Sequence, residues 1–347
     1  MESDLRMHIT SEQAPRTGPT TLIWLLTSHC NLECSHCYMA RPERFADELT
    51  PEQARDVLNQ GVEHGLRYVG FSGGEFLLRP DALSLLRQAS GANLSCGLVT
   101  NGSTISDEVA KVIAETDTFV YLSLDGATPS VHERVRGWGT FDDVVVAAET
   151  LNRAGASFRI VFAASRLNAD SAGDAVARAQ DMGAECFCII PVMPTGRATR
   201  DMTLTAPEYA TVLKSVERRA DELGFSVELW CTPFAGLIVD SPRVSWEYCR
   251  HNDCEMDIMP DGTVHLCDVP DFQVSDVRDR SVVQAFEEQE RSPLVCSLRR
   301  PRTLPAPCAG CDFGDSCLGG CYARAYLTTA RTDAPDPLCP RASLTTA

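Results

Sequence analysis

Short apolar runs alternate with amphipathic segments from Thr21 to about Trp230. The apolar runs are rich in Val, Ile, Leu or aromatic residues, and most are bounded by Gly, Asn or Asp, which is typical of β-strands. Strands are predicted at Thr21–Thr27, Arg67–Ser72, Leu94–Thr100, Phe119–Leu124, Phe158–Ala164 and Cys186–Pro191. Helices are predicted between them at Pro51–His64, Pro80–Ala89, Asp107–Glu115, Phe141–Ala154 and Ser171–Met182. This alternation indicates a parallel sheet, whose binding sites form at the carboxyl ends of the strands.

The pattern changes after about Thr232, where periodic helices give way to Pro, Cys, Asp and Gly. Residues 260–262, Pro-Asp-Gly, predict a hairpin turn between strands at Glu255–Met259 and Thr263–Leu266. A short helix is predicted at Phe286–Glu290. The region has too little apolar periodicity to form a core alone, so we expect bound metal to hold it together.

The chain therefore divides into an N-terminal tail, a barrel-like α/β domain, a cysteine-rich domain and a C-terminal tail. Their predicted bounds are 1–20, 21–235, 236–340 and 341–347. The tail after Pro340 is expected to be disordered. A length of 347 residues agrees with this division, since domains average roughly 150 residues.

Composition excludes several classes of function. The formal charge of −17 disfavours binding to nucleic acids or anionic membranes. The longest apolar runs, such as Val144–Ala148, are too short to span a bilayer. Met1–Pro19 is polar and lacks the apolar segment of a signal peptide. We therefore expect a cytoplasmic protein with no nucleic-acid or membrane partner.

Sixteen cysteines in a chain without an export signal favour metal ligands over a disulfide framework. Three lie at 30–37, and eight more, leaving out Cys296, lie between 249 and 339. The other five are interpreted as small buried residues. They are Cys96, Cys186, Cys188, Cys231 and Cys296.

Cys30, Cys34 and Cys37 have the spacing C-x3-C-x2-C and follow the first predicted strand. Three thiolates on one loop can bind three corners of a [4Fe–4S] cluster and leave the fourth iron open to a small molecule. The alternative is three buried thiols on one helix face. The intervening residues are mostly polar and leave no apolar helix face, which argues against that alternative.

This spacing resembles the radical SAM signature C-x3-C-x-aromatic-C, with His36 at the aromatic position. The resemblance implies a partial (β/α)6 TIM-like barrel and a [4Fe–4S] cluster held by Cys30, Cys34 and Cys37. It also implies that S-adenosyl-L-methionine (SAM) chelates the fourth iron. One electron would cleave SAM to methionine and a 5′-deoxyadenosyl radical, which abstracts hydrogen from an unactivated C–H bond.

Gly73-Gly74-Glu75 follows the second predicted strand and resembles the family motif that contacts the amino group of SAM. The two glycines would let the backbone approach the ligand closely, and Glu75 offers an acceptor to an ammonium group. The family usually has Pro after this Glu, whereas this chain has Phe76.

The ends of the next strands carry further candidates for SAM binding. Ser123 and Asp125 resemble the strand-four residues near the ribose, and Ser165 and Arg166 resemble strand-five contacts to the ribose or carboxylate. Each alone is equally typical of a capping, turn or surface residue. Arg134 and Arg136, also after the fourth strand, could bind a substrate carboxylate or phosphate, but they are interpreted as part of a solvated loop.

The C-terminal cysteines resemble a SPASM domain, which follows many radical SAM barrels. When the cysteine positions are compared with those of the anaerobic sulfatase-maturating enzymes, the resemblance implies that the first auxiliary cluster is held by Cys249, Cys254, Cys267 and Cys321. The second would be held by Cys308, Cys311, Cys317 and Cys339. Zinc is the competing metal, because four-cysteine zinc sites use similar short spacings.

Asp268 directly follows Cys267. In the sulfatase-maturating family an acidic residue at this position accepts a proton from the substrate. Dehydrogenation after hydrogen abstraction requires the loss of one proton and one electron. A solvated turn aspartate is the alternative.

The resemblance predicts oxidative modification of a peptide or protein side chain, with flavodoxin or ferredoxin as electron donor. The alternatives are radical dehydrogenation or decarboxylation of a small metabolite, such as a sugar or nucleoside, and a non-catalytic metal-binding scaffold. The barrel begins within about twenty residues of the first residue, on the strand pattern above. We therefore expect no N-terminal domain that recognises a leader peptide, and this favours a small molecule or a separate presenting protein.

Overall fold

A computed structural model describes residues 18–40, 47–249, 254–299, 303–304 and 306–343. The predicted N-terminal tail lies outside the described residues except for Gly18, Pro19 and Thr20. Within the described part, the strands are β1 Thr21–Leu25, β2 Tyr68–Ser72, β3 Ser95–Thr100, β4 Phe119–Ser123, β5 Phe158–Ala164, β6 Phe187–Pro191, β7 Val227–Leu229, β8 Val244–Trp246, β9 Glu255–Ile258, β10 Thr263–His265 and β11 Gln273–Asp276.

The α-helices lie between and after these strands. They are α1 Pro51–Glu63, α2 Ala82–Gly91, α3 Asp107–Glu115, α4 Pro129–Arg136, α5 Thr140–Ala154, α6 Ala172–Asp181, α7 Ala206–Leu223, α8 Val282–Arg291, α9 Pro293–Leu298, α10 Gly314–Cys317, α11 Tyr322–Thr329 and α12 Pro340–Ser343. None of the helices in the described segments is both long and apolar enough to cross a membrane.

All the strands join one sheet in the order β11-β10-β9-β1-β2-β3-β4-β5-β6-β7-β8. The pairs from β1 through β8 are parallel, and β9 pairs with β1 in parallel. The carboxyl ends of β1 to β6 therefore meet at one edge, which confirms the predicted α/β class. The sheet extends beyond the six predicted strands because β7 and β8 continue it after β6.

The alternation of side chains along β1 separates the two faces of the sheet. Leu22 and Trp24 are fully buried in the main apolar core with residues of the surrounding helices. Leu25 points to the other face and packs with Met39 and Met259. Burying a large apolar side chain contributes about 1.5–3 kcal/mol, so this two-sided packing holds the segment after β1 firmly against the sheet.

Every predicted helix of the barrel is present. Thr50 and Gln53 form a reciprocal capping box at the start of α1. Helices α4 and α7 were not predicted. Helix α7 carries the same kind of signal, a capping box between Thr205 and Glu208, and it ends at Gly224 in the left-handed conformation.

The cysteine-rich region shares the core of the barrel. The predicted hairpin is present as β9 and β10, and the short helix is present in the longer α8. Met256, Ile258 and Phe286 belong to the same buried cluster as Leu22 and Trp24. Pairing of β9 with β1 therefore supplies the core that the region lacks alone, and the proposed boundary at residues 235–236 falls within a continuous sheet.

The expectation of a disordered C-terminal tail is wrong for residues 341–343, which lie in α12. Ala342 is buried, and its N–H donates to the carbonyl of Cys339 at 3.0 Å. Helix α12 packs against α7, an element that was not predicted. Residues 344–347 lie outside the described residues.

Candidate active site

The loop at residues 26–40 follows β1 and is called the cysteine loop here. Cys34 is buried, Cys37 is half-buried and Cys30 is exposed. The N–H of Cys37 donates to the carbonyl of Cys34 at 3.2 Å. The N–H of Leu32 donates to the sulfur of Cys30 at 3.4 Å. The loop therefore turns tightly around its own thiols.

Electrostatic interactions connect the three thiols of the cysteine loop. Burial raises the pKa of all three, and a neighbouring thiolate raises each further: Cys37 acts on Cys30, Cys30 on Cys34, and Cys34 on Cys37. The Arg136 guanidinium opposes the rise at each thiol. Three adjacent sulfur donors beside a cation fit three corners of a [4Fe–4S] cluster, since iron takes the place of the thiol protons.

Gly73 and Gly74 follow β2 and contact the backbone of the cysteine loop. Gly73 has φ of 142°, and a Cβ there would lie 2.4 Å from the carbonyl oxygen of Thr27. A Cβ on Gly74 would lie 2.2 Å from the carbonyl oxygen of His29. The N–H of Gly74 donates to Thr27 O at 2.6 Å. These glycines therefore permit close approach to the protein's own cysteine loop, and their approach to SAM stays a prediction.

We expect Gly74→Ala to displace the cysteine loop, because a backbone carbonyl cannot move aside as a flexible side chain can. The cost should be about 1–3 kcal/mol or more, seen as a lower melting temperature of the apoprotein. Iron bound per chain after anaerobic reconstitution should fall as well.

Gly91 is the matched control for this substitution. It ends α2, and no atom lies within 4 Å of a Cβ added there, so Gly91→Ala should leave both measurements unchanged or raise stability slightly. Equal melting temperatures and iron contents for the two alanine variants would contradict the contact argument.

Glu75 is buried and connects the ends of two strands. Its carboxylate accepts hydrogen bonds from Thr100 Oγ1 at 2.9 Å, from the N–H of Asn101 at 2.8 Å and from the N–H of Leu77 at 3.3 Å. Burial raises its pKa. The side chain thereby aligns the carboxyl ends of β2 and β3, and its contact with the amino group of SAM stays a prediction.

Asp125, after β4, is fully buried in an ion pair with Arg136 of α4. Its Oδ2 accepts from Arg136 Nε at 2.5 Å, and its Oδ1 accepts from the N–H of Ala163 at 2.7 Å. The interpretation of Arg136 as part of a solvated loop is therefore wrong, because the carboxylate offsets the cost of burying the guanidinium. The contact of Asp125 with the ribose stays a prediction.

His36 lies beside the same ion pair, with Nε2 3.6 Å from Asp125 Oδ2. Burial lowers the pKa of His36 to about 4, so the imidazole is neutral at pH 7. Its Nδ1 is buried and has no hydrogen-bond partner among the described residues. A buried polar atom of this kind fits a bound cofactor that supplies the missing partner.

Ser123, Ser165 and Arg166 occupy the predicted strand ends but differ in exposure. Ser123 and Ser165 are buried, and Ser165 Oγ donates to Asn168 Oδ1 at 3.1 Å. Arg166 is exposed and pairs with Glu208 of the α7 capping box at 2.9 Å. The contact of Arg166 with SAM stays a prediction.

Asp268 lies next to the cysteine loop although 230 residues separate it from Tyr38. Tyr38 Oη donates to Asp268 Oδ2 at 2.7 Å, and the N–H of Asp268 donates to Asp257 Oδ2 at 2.8 Å. Burial raises the pKa of Asp268. The hydrogen bond therefore connects Tyr38, which follows Cys37, with Asp268, which follows Cys267.

The C-terminal cysteines gather in two groups. Cys308, Cys311, Cys317 and Cys339 line one pocket. Burial, Asp336 and the neighbouring thiols raise the pKa of Cys317 to about 12. This donor set fits a four-thiolate metal centre, the second of the two predicted.

The other group surrounds Cys321, at the start of α11. The thiol of Cys231 makes a hydrogen bond with Cys321, which lowers the pKa of Cys321 to about 7. The charges of Cys267 and Cys249 act on Cys231. These sulfur donors fit the predicted first auxiliary cluster.

Sequence reasoning missed Tyr38, Arg136, Arg197 and Cys231 at this site. Arg197 Nε donates to the carbonyl of Cys34 at 3.0 Å, so a second guanidinium supports the cysteine loop. Cys231 follows β7, and the strand-end rule would have selected it had that three-residue strand been predicted.

The parallel barrel-like sheet, the three-thiol loop at the end of β1 and the grouped C-terminal cysteines define an iron–sulfur enzyme of the α/β-barrel class. The sequence pattern of the Radical SAM superfamily matches residues 24–163. The mycofactocin maturase MftC of Mycolicibacterium smegmatis is 30% identical over 93% of this chain and 83% of its own length. The chain therefore belongs to the radical SAM superfamily and is of the SPASM type, and its cofactors are SAM and a [4Fe–4S] cluster.

Two further relatives have names that indicate different products. The AdoMet-dependent heme synthase of Methanosarcina barkeri is 26% identical and covers 94% of this chain and 97% of its own. The PqqA peptide cyclase of Gluconobacter oxydans is 28% identical, with 92% and 90% covered.

Solved structures show the same fold. SuiB of Streptococcus suis, in a complex with the precursor peptide SuiA, has a TM-score of 0.74 at 17% identity and covers 93% of this chain and 76% of its own. The enzyme anSMEcpe, with bound AdoMet and the Cp18Cys peptide, has a TM-score of 0.73 at 19% identity, with 93% and 94% covered.

Proposed function

We propose that this enzyme uses the 5′-deoxyadenosyl radical to oxidise a side chain of a peptide or protein. The observation that carries the proposal is the Tyr38–Asp268 hydrogen bond of 2.7 Å. The bond joins the cysteine loop, where hydrogen abstraction would start, to the residue next to Cys267, one of the cysteines that would hold an electron-accepting cluster. A proton acceptor and an electron acceptor together are what oxidation of a carbon radical requires.

The residues of the cysteine loop would bind the catalytic cluster through Cys30, Cys34 and Cys37. When bound, the cluster and SAM supply the radical that removes one hydrogen atom from the substrate. Arg136 and Arg197 offset the negative charge around the thiolates, and the glycine pair holds the loop in position. The neutral His36 offers one buried ring nitrogen to the cofactor.

Asp268 would accept the proton that the substrate radical releases, and the neighbouring Cys267 would help to hold an auxiliary cluster, a group that supplies an electron acceptor when bound. The substrate then loses two hydrogens in all, and SAM is converted to methionine and 5′-deoxyadenosine. An electron donor such as flavodoxin or ferredoxin would supply the electron that starts each turnover. Tyr38 would orient the carboxylate through its hydrogen bond.

The comparisons favour a peptide as substrate. The name of PqqA peptide cyclase indicates a peptide substrate. SuiB forms a complex with the precursor peptide SuiA. A small molecule is the second candidate, since the heme synthase aligns over 97% of its own length.

The test uses the iron-loaded full chain, reduced with dithionite and supplied with SAM. Pools of synthetic peptides that together contain all side chains are compared with iron porphyrins for their ability to stimulate 5′-deoxyadenosine formation. We expect a peptide to stimulate it and to lose the mass of two hydrogen atoms. Stimulation by iron porphyrins alone would favour the second candidate, and no 5′-deoxyadenosine under any condition would contradict the proposal.

Asp268→Asn should separate SAM cleavage from product formation. The amide keeps the size of the side chain but does not accept the proton, so peptide oxidation should fall about 10²-fold or more. Formation of 5′-deoxyadenosine should change much less. Both products are measured in one reaction by chromatography and mass spectrometry.

Tyr38→Phe is the companion variant, because it leaves the carboxylate in place and removes only its hydrogen bond. We expect a smaller loss of peptide oxidation than in Asp268→Asn. Equal loss of SAM cleavage and peptide oxidation in Asp268→Asn would assign the aspartate a structural role instead.

A further inference from the structure

Two cysteines at the start of β6 lie on the face of the sheet opposite the main apolar core. Phe187 and Ile189 belong to that core, and residues two apart along a strand share a face. Cys186 and Cys188 instead pack together with Val161 of β5 in a separate cluster. The sequence interpretation of both cysteines as buried residues is confirmed, and their side chains point to the same side of the sheet.

Glu228 of β7 is the cross-strand neighbour of Cys188. Val227 and Leu229 on either side of it belong to the main core, so the Glu228 side chain shares the face of Cys188. The Cys188 thiol donates to Glu228 Oε2 at 3.8 Å and is also hydrogen-bonded with the Cys186 thiol. Each pair among the two sulfurs and a carboxylate oxygen of Glu228 is within 4.8 Å.

These three side chains offer the donor atoms and the spacing of a zinc site. Thiolate sulfur and carboxylate oxygen are both common ligands of Zn²⁺. With metal–ligand bonds of about 2.0–2.3 Å, the ligand atoms of a tetrahedral site lie about 3.3–3.8 Å apart. The Cys188–Glu228 distance of 3.8 Å already meets this requirement. Three protein ligands leave the fourth position of the metal to water.

Arg159 of β5 balances the charge of this group. Its Nη1 donates to Glu228 Oε2 at 2.6 Å, and its guanidinium lies over the ring of Phe119 at 4.8 Å. Two thiolates and one carboxylate carry three negative charges, which Arg159 and a divalent ion neutralise together. Without the ion, both thiols keep their protons and the Arg159–Glu228 pair is neutral. Neither state therefore buries a net charge, and binding releases two thiol protons to water.

An ion can reach the thiols from the side of the ion pair. The side chains of Arg159 and Glu228 are 25% and 17% exposed, whereas Cys188 is fully buried. The cysteine loop follows the carboxyl end of β1, but Cys186 and Cys188 lie at the amino end of β6. Because these strands belong to the parallel part of the sheet, the two groups of thiols lie toward opposite edges.

We propose that Cys186, Cys188 and Glu228 bind a thiophilic divalent cation, Zn²⁺, at the amino end of β6. The ion would link β6 to β7 on the face opposite the main core. This site goes beyond the proposed function and does not depend on it.

The first experiment uses the unmodified full chain after anaerobic reconstitution with iron and sulfide. The enzyme is dialysed against a buffer of fixed free Zn²⁺, and iron and zinc per chain are measured by mass spectrometry. We expect about one zinc per chain, with two sulfurs at about 2.3 Å and two oxygens at about 2.0–2.2 Å in its X-ray absorption spectrum. A shell of four sulfurs would place the zinc in a four-cysteine site and overturn the proposal, and so would enzyme without zinc.

The second experiment compares zinc affinities of variants in the same iron-loaded state. Loss of a residue that only supports a ligand costs about 10–100-fold, so Cys188→Ala should weaken zinc binding at least about 100-fold. Glu228→Gln keeps both thiols and the size of the side chain, and it should weaken binding as well. Zinc bound by Cys188→Ala with the affinity of the unmodified enzyme would overturn the proposal.

Cys96→Ala is the matched control for Cys188→Ala. Cys96 is another buried strand cysteine, but its side chain belongs to the main apolar core and its thiol donates to the carbonyl of Leu94 at 3.6 Å. This variant should bind zinc as the unmodified enzyme does, and equal losses in the two alanine variants would contradict the assignment. Formation of 5′-deoxyadenosine by the unmodified enzyme is measured in parallel and tests the proposed function alone.

Discussion

Cys30→Ala is expected to abolish SAM cleavage, with at least about a 10³-fold loss of 5′-deoxyadenosine formation. Removing one of the three thiolates leaves the catalytic cluster without a full set of protein ligands. SAM would then lack the cluster iron to which it binds. Because Cys30 is exposed, its thiol contributes little to the apolar core. The loss should therefore come from ligation and not from unfolding.

Three measurements check this expectation: the rate of 5′-deoxyadenosine formation, iron per chain and the melting temperature of the apoprotein. Iron should fall by about four per chain while the melting temperature stays unchanged. Cys296→Ala is the matched control, since it removes another exposed thiol and should leave all three measurements unchanged. Residual SAM cleavage at the unmodified rate in Cys30→Ala would refute the assignment of the cysteine loop.

Asp336→Ala should produce the largest loss of stability. The side chains of Arg324 and Asp336 are 3% and 0% exposed, so the substitution leaves a guanidinium buried without its counter-charge. Breaking a buried pair in this way costs about 3–5 kcal/mol. The Cys231 carbonyl and the Cys321 N–H would also lose their common anchor, so the iron content of the auxiliary site should fall with the melting temperature.

Asp333→Ala is the control, because Asp333 pairs with Arg331 at 2.9 Å on the surface. An exposed ion pair contributes little to stability, so this variant should melt at the unmodified temperature. Melting curves of the apoproteins, followed by circular dichroism, compare the two variants. Equal melting temperatures for Asp336→Ala and Asp333→Ala would show that the buried pair does not hold this region.

Local signals in the sequence predicted much of the fold. The Thr50 capping box and the apolar strands are local patterns, and the structure contains them with small differences in their bounds. Helix α7 has an equally local signal, the capping box of Thr205 and Glu208, so this helix is predictable from the sequence as well. Strands β7 and β8 have three residues each, which is too short for side-chain alternation to identify them.

Contacts between distant residues could not be predicted. The ion pair of Arg136 with Asp125 depends on α4 folding back over the end of β4, and charge composition alone favoured a solvated arginine. The contact of Gly74 with His29 requires β1 and β2 to be neighbours in the correct register. Both contacts arise from the order of strands in the sheet.

By itself the sequence determined that three thiols at positions 30, 34 and 37 lie on one loop after a strand, because a span of eight residues confines them to a short distance. It also determined the alternating order of strands and helices, since each element forms from its own periodicity. Only the tertiary structure decided which distant thiols meet. Cys231 and Cys321 are brought together by the buried Arg324–Asp336 ion pair.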